Sequence, residues 1–243
     1  ETLLNFTRVE QMLNFQEDRV RPLVGVLVAV SALCGIGAVV GADLRLPWPG
    51  AQLLMLAPPL LVWLAAGRRP ALELGQVELG PVLIPAVAAL VALPLWLWLD
   101  PAADPQVPLP DWSPALLVLA ALGFATVNAA LEELAFRGLL QDGLRQGMPG
   151  RTWAPIVIQG LAFGAAHWAG FPSGWWGVAL AGGWGIALGY VRHRCGGLLA
   201  PWLAHIAADL VLPCVARARS AVLLEVHPHL GTAHGAPPLP WTD

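Results

Sequence analysis

Lysine is absent from this sequence. All 13 basic residues are arginine, and beside the abundance of Ala, Gly, Leu and Pro this reads as the codon usage of a GC-rich, bacterial genome. Charge of either sign is scarce. Charged residues make up 12% of the 243 positions and hydrophobic ones 57%, with a mean hydropathy of +0.64. Soluble domains carry about 25% charged residues, so the scarcity excludes an ordinary soluble domain and predicts a polytopic membrane protein. No basic tract interleaved with aromatics is present, which argues against nucleic acid as a partner. The cysteines are few and odd in number: Cys34, Cys195 and Cys214. Their spacing matches no metal motif, and they read as small buried apolar residues, not a disulfide framework. The first segment lacks a basic region leading into a short apolar run and cleavage site, so no removable signal peptide is expected.

What is present is a series of apolar runs. An all-α bundle of about seven to eight transmembrane helices is predicted, with a catalytic bundle at 23–216 between an N-terminal segment (1–22) and a C-terminal tail (217–243). In residues 1–19, Leu3, Phe6, Val9, Met12, Leu13 and Phe15 recur at roughly helical spacing. They fit either an amphipathic helix on the membrane surface or a polar leader. Spans are expected at Leu23–Val40, Ala51–Ala66, Pro81–Leu99, Pro114–Arg145, Trp153–Ala169, Trp175–Val191 and Leu198–Val215. The fourth is longer than one bilayer crossing. Residues 71–79 form a loop or interfacial segment. Gly177, Ala181, Gly185 and Gly189 lie four apart in span six, and Gly160 and Gly164 do so in span five. Such stripes let helices approach closely.

Loop charges orient the bundle. Arg8, Arg19 and Arg21 precede span one; Arg68 and Arg69 follow span two; Arg145 and Arg151 follow span four; Arg192 and Arg194 follow span six. The loops after spans three and five have no Arg, which places the N-terminus in the cytoplasm, here of a bacterial inner membrane. Arg217 and Arg219 break the alternation. Either the C-terminus lies outside despite them, or a further short segment at Ala221–Val226 changes the count. The tail histidines His227, His229 and His234 read as a solvated tail.

Two carboxylates and a guanidinium sit inside span four, in Leu131-Glu132-Glu133-Leu134-Ala135-Phe136-Arg137. Charge at that depth costs at least about 2.5–3.5 kcal/mol per residue, so it marks a functional site. Glu133 and Arg137 are four apart and can neutralise one another. Glu132 is rotated about 100° away and has no in-helix partner. Spans five and seven supply others: Phe163-Gly-Ala-Ala-His167 and His205-Ile-Ala-Ala-Asp209 each hold two outer residues on one face. Buried polar groups need partners, and these are candidates for one another. The set suits hydrolysis. A carboxylate in a low-dielectric site acts as general base on water, one His holds that water, and a second donates to an oxyanion. Alternatively Glu132, His167, His205 and Asp209 bind a divalent ion such as zinc that activates the water.

Glu-Glu-x-x-x-Arg, Phe-x-x-x-His and His-x-x-x-Asp, in this order on successive apolar helices over Leu131–Asp209, resemble the three motifs of the CAAX protease and bacteriocin-processing family of intramembrane endopeptidases. The resemblance implies a helical bundle with a cavity open to the cytoplasm, Glu132 and His167 activating water, and His205 with residue 209 stabilising the oxyanion, without metal. Asp209 stands where the CAAX enzymes have Asn. An ionised Asp cannot donate to an oxyanion, so it either orients His205 or stays protonated. In a bacterium the expected substrate is a peptide, a bacteriocin precursor or the membrane segment of another protein, met at the lipid bilayer.

Other intramembrane proteases are excluded by missing motifs: there is no His-Glu-x-x-His, no Gly-x-Ser-x-Gly and no Gly-Leu-Gly-Asp. A proton-coupled transporter or channel also lines its path with Glu, His and Asp, but no inverted repeat is evident. A non-catalytic membrane scaffold predicts tolerance of substitution at Glu132 and His167. Helix rise places Glu132 and His167 at one depth only if span four enters the membrane near Val118–Ala121 and continues past Gln141.

Overall fold

The computed structural model describes residues 2–41, 46, 48–67, 70, 72–99, 112–168, 170 and 173–211, and for 2–20, 41, 97 and 98 the backbone alone. The tail with its Ala221–Val226 alternative and its three histidines, Cys214, the loop at 100–111 and the side chains of the amphipathic leader lie outside the described residues.

Among the described residues seven helices follow one another: α1 (Thr2–Gly41), α2 (Gly50–Ala65), α3 (Leu79–Leu99), α4 (Pro114–Gly147), α5 (Trp153–Ala166), α6 (Gly174–Cys195) and α7 (Leu199–Val211). The chain is all-α, and no strand occurs among the described residues. The leader and the first span are one helix, continuous through Pro22. Among the described residues three stretches are long and apolar enough to cross a membrane: Arg21–Val40, Leu79–Trp96 and Pro114–Gly147. The apolar helices α2, α5 and α7 are shorter. At 1.5 Å per residue the 14 residues of α5 span roughly 21 Å, less than a bilayer core of about 30 Å.

The exterior is apolar and the interior holds the charge. Ile84, Val87, Leu90 and Val91 of α3 are all more than half exposed, whereas Glu133, Arg137, Asp142 and Gln159 are buried. Water would penalise such a surface; hydrocarbon matches it.

Sequence sets the helix ends locally. Ser113 accepts a hydrogen bond from the Leu116 N–H on its Oγ at 3.4 Å, and Pro114 follows at the first helical position, so α4 is capped as it starts. Gly196 adopts φ +69° just past α6 and lets the chain turn without a Cβ clash. The turn is pinned by the segment before α3. Gln76 N–H donates to the Cys195 carbonyl at 2.8 Å, while Leu198 and Leu199 N–H donate to the carbonyls of Glu73 and Leu74 at 2.9 and 3.0 Å. These carbonyls satisfy donors that the start of α7 would otherwise leave unpaired.

The small-residue stripes form the seam between α5 and α6. A Cβ on Gly164 would lie 2.9 Å from Gly182 Cα, and one on Gly160 would lie 2.7 Å from Ile186 N. Elsewhere Gly25 of α1 packs on Gly143 and Gly147 of α4. Asp142 of α4 lies 4.0 Å from Arg192 of α6, and Arg194 lies 3.8 Å from Glu78. The start of the first span, the end of α4 and the end of α6 therefore share one end of the bundle, and each of these ends carries arginine.

Candidate active site

The central cluster stands where α4 changes its winding. An uninterrupted α-helix is expected from the sequence, but Leu134–Gln141 forms a π-helix directly after Glu133. Its i→i+5 pairing turns the following residues to a new angle, a feature common at functional sites. Within this segment Arg137 donates Nη2–H to the Gly185 carbonyl at 3.2 Å, and Gln141 donates to the Gly189 carbonyl at 3.1 Å. Four residues separate each pair on both helices, and glycine on α6 leaves its carbonyls reachable.

The Glu133–Arg137 pair forms as expected, with Oε1 to Nη1 at 2.8 Å and both groups buried. Its second partner was not legible: the same Oε1 also meets His205 Nδ1 at 2.8 Å. A carboxylate accepts, so Nδ1 carries the hydrogen and Nε2 is the nitrogen left to the site. Glu132 Oε2 and Asp209 Oδ1 each lie 3.6 Å from that Nε2. The sequence thus brings Glu132, Glu133 and Asp209 around one imidazole from two helices.

His167 caps the end of α5. Its Nδ1 lies 2.9 Å from the Phe163 carbonyl, which again assigns the hydrogen to Nδ1 and leaves Nε2 to accept. Phe163 ties the pieces together. Its ring centroid is 4.5 Å from that of His167 and 5.7 Å from that of His205, and the Arg137 guanidinium lies 4.6 Å over its face.

A cavity of about 310 Å³ opens beside these groups, lined by His167, His205, Asp209 and Phe163 and otherwise by small or apolar residues of α3 and α6, among them Ala88, Ala92 and Gly183. Glu132 is not one of its lining residues. It meets the site through His205 Nε2. Among the described residues no three His, Cys, Asp or Glu side chains group as ligands of one metal ion. Both Nδ1 atoms are committed to oxygen acceptors, and the Nε2 contacts are longer than hydrogen bonds.

Asn128, Gln52 and Gln159 escaped the sequence reading. Asn128 lies one turn before Glu132 and donates Nδ2–H to Asp209 Oδ2 at 3.3 Å; Gln52 donates to Asn128 Oδ1 at 2.9 Å. Gln159 is buried and donates to the Gly185 carbonyl at 2.7 Å. The available signal is a lone amide in each of the apolar helices α2 and α5, and an amide one turn before the charged cluster of α4, each of which must find a partner when no water is near.

Residues 114–211 match the family model described as Rce1-like, type II CAAX prenyl endopeptidase. This stretch is similar to that family. It covers α4 to α7 and contains all three motifs, so the family resembled by those motifs is the family matched. Comparison with curated proteins and with solved structures finds no match. The match covers 98 of the 243 residues, and the long apolar helices among the described residues fit an integral membrane protein.

Proposed function

We propose that the chain hydrolyses a peptide bond through Glu132, His167, His205 and Asp209 without a metal. The observation that carries this reading is the convergence of Glu132 and Asp209 on His205 Nε2 at 3.6 Å, beside a cavity that His167 also lines. Water where the cavity meets His205 Nε2 gives a proton to Glu132 while His167 Nε2 accepts its second hydrogen. The water oxygen attacks the scissile carbonyl carbon. His205, when protonated, donates Nε2–H to the oxyanion that forms. Asp209 and Glu133 hold the imidazole from its two sides. Collapse of the tetrahedral species breaks the C–N bond, and Glu132 returns its proton to the leaving amine. Asp209 acts as an acceptor here, with its second oxygen receiving the Asn128 N–H.

The arginine-bearing helix ends gathered at one end of the bundle support a cytoplasmic face there, and with it a cytoplasmic N-terminus. In a bacterial inner membrane the substrate is a membrane-associated peptide or a membrane segment of another protein.

The test compares peptide termini in membranes from cells carrying the wild-type protein or Glu132→Gln at equal expression. Termini that vanish in the variant identify the substrate and support the reading. Unchanged termini, in cells where loss of the protein still has a phenotype, refute it and turn attention to ion or solute flux.

A further inference from the structure

Asn128 is nine-tenths buried, and the described contacts of its amide leave it one orientation. Its Oδ1 accepts the Gln52 Nε2–H at 2.9 Å and the Trp48 indole N–H at 3.3 Å. An indole nitrogen only donates, so the oxygen of Asn128 must face Trp48 and the NH2 must face the other way. That way lies Asp209 Oδ2, at 3.3 Å. The other oxygen of the same carboxylate, Oδ1, faces His205 Nε2 at 3.6 Å. A chain of fixed polarity therefore runs from the start of α2, across α4, to the histidine on α7.

We infer that Asn128 is a positioning residue for the hydrolytic reaction, holding Asp209 as an acceptor turned toward His205 Nε2, with Trp48 and Gln52 setting the direction of its amide. This rests on the reading of His205 as the oxyanion donor. Asp209 sits only one turn from His205 on α7, and without a second tether its carboxylate can rotate about the side-chain bond and leave Nε2. Asn128, four residues before Glu132, shares the face of α4 that looks into the site. It does not itself line the cavity, and its contact with the site is the hydrogen bond to Asp209, so it acts through that carboxylate. The groups facing Asp209 are Glu132 from α4, His205 from α7 and His167 from α5; α3 and α6 contribute only uncharged lining.

The experiment uses the full chain in detergent and two readouts, each in the Asp209 and the Asp209→Asn background. The first is the ¹⁵N resonance of His205 Nε2, assigned with a His205→Gln variant and read without substrate. Asn128→Ala is expected to move it in the Asp209 background and to leave it in place in the Asp209→Asn background. The second is turnover of a quenched farnesylated peptide ending in a CAAX sequence. Asn128→Ala is expected to lower kcat by roughly 10–100-fold, the loss of one charge-assisted hydrogen bond, with KM within about twofold. In the Asp209→Asn background the further loss is less than about twofold, because residues acting as a unit are non-additive. A resonance that does not move, or a kcat loss of equal size in both backgrounds, overturns the inference and leaves Asn128 a packing residue. Turnover that survives Glu132→Gln refutes the protease mechanism instead, while the nitrogen spectrum still reports on Asn128.

Discussion

Neighbouring glutamates should respond in opposite ways to the same substitution. Glu133→Gln removes the negative charge that faces the fully buried Arg137 at 2.8 Å and accepts from His205 Nδ1 at 2.8 Å. Stripping one partner from a buried ion pair costs about 3–5 kcal/mol. The low end applies, since the guanidinium keeps the Gly185 carbonyl and the Phe163 face, and the new amide oxygen still accepts one donor. With about 2–4 °C per kcal/mol for a chain of this length, Glu133→Gln should unfold roughly 6–12 °C below the wild type. Glu132→Gln loses only a 3.6 Å contact to His205 Nε2 and relieves a charge of its desolvation cost. The two terms oppose, so its midpoint should stay within about 4 °C of the wild type although cleavage is lost. Thermal unfolding in detergent, followed by the fluorescence of the 12 tryptophans, measures both. If Glu132→Gln falls as far as Glu133→Gln, the division into a structural and a reactive glutamate is wrong.

Gly164→Ala places a Cβ 2.5 Å from the Val178 carbonyl and 2.9 Å from Gly182 Cα; α5 and α6 must part, and the protein should lose activity and unfold several degrees earlier by the same fluorescence scan. Phe163→Leu keeps an apolar side chain but removes the ring shared by Arg137, His167 and His205, and kcat on the farnesylated peptide should drop at least about tenfold with a smaller effect on KM. Gly75 holds φ +68° with its Cα against the Cys195–Gly197 turn, so Gly75→Val should strip the carbonyl caps from α7 and expose the His205 helix to limited proteolysis. A wild-type digestion pattern from Gly75→Val would show that the segment does not hold α7.

Some of this molecule is legible in its residues alone. Scarce charge and long apolar runs determine a helical membrane bundle, because hydrocarbon admits few other backbones. The i,i+4 spacing of Glu133 and Arg137 determines their pair, and the three ordered motifs point to the family that residues 114–211 match. Glycines four apart predict the α5–α6 seam, since close approach needs only missing side chains and a shared face. Other features depend on which helices become neighbours. The second partner of Glu133 is 72 residues away on α7; helical periodicity says nothing about the angle between α4 and α7. The π-helical turn after Glu133 likewise depends on Arg137 and Gln141 reaching carbonyls of α6, a requirement absent from local propensity. Asn128 reads as an isolated amide until α2 brings Gln52 and Trp48 to its oxygen and α7 brings Asp209 to its nitrogen. Local spacing determines what each helix offers; tertiary packing decides which offer is accepted, because a hydrogen bond is made at about 3 Å and sequence separation sets no such distance.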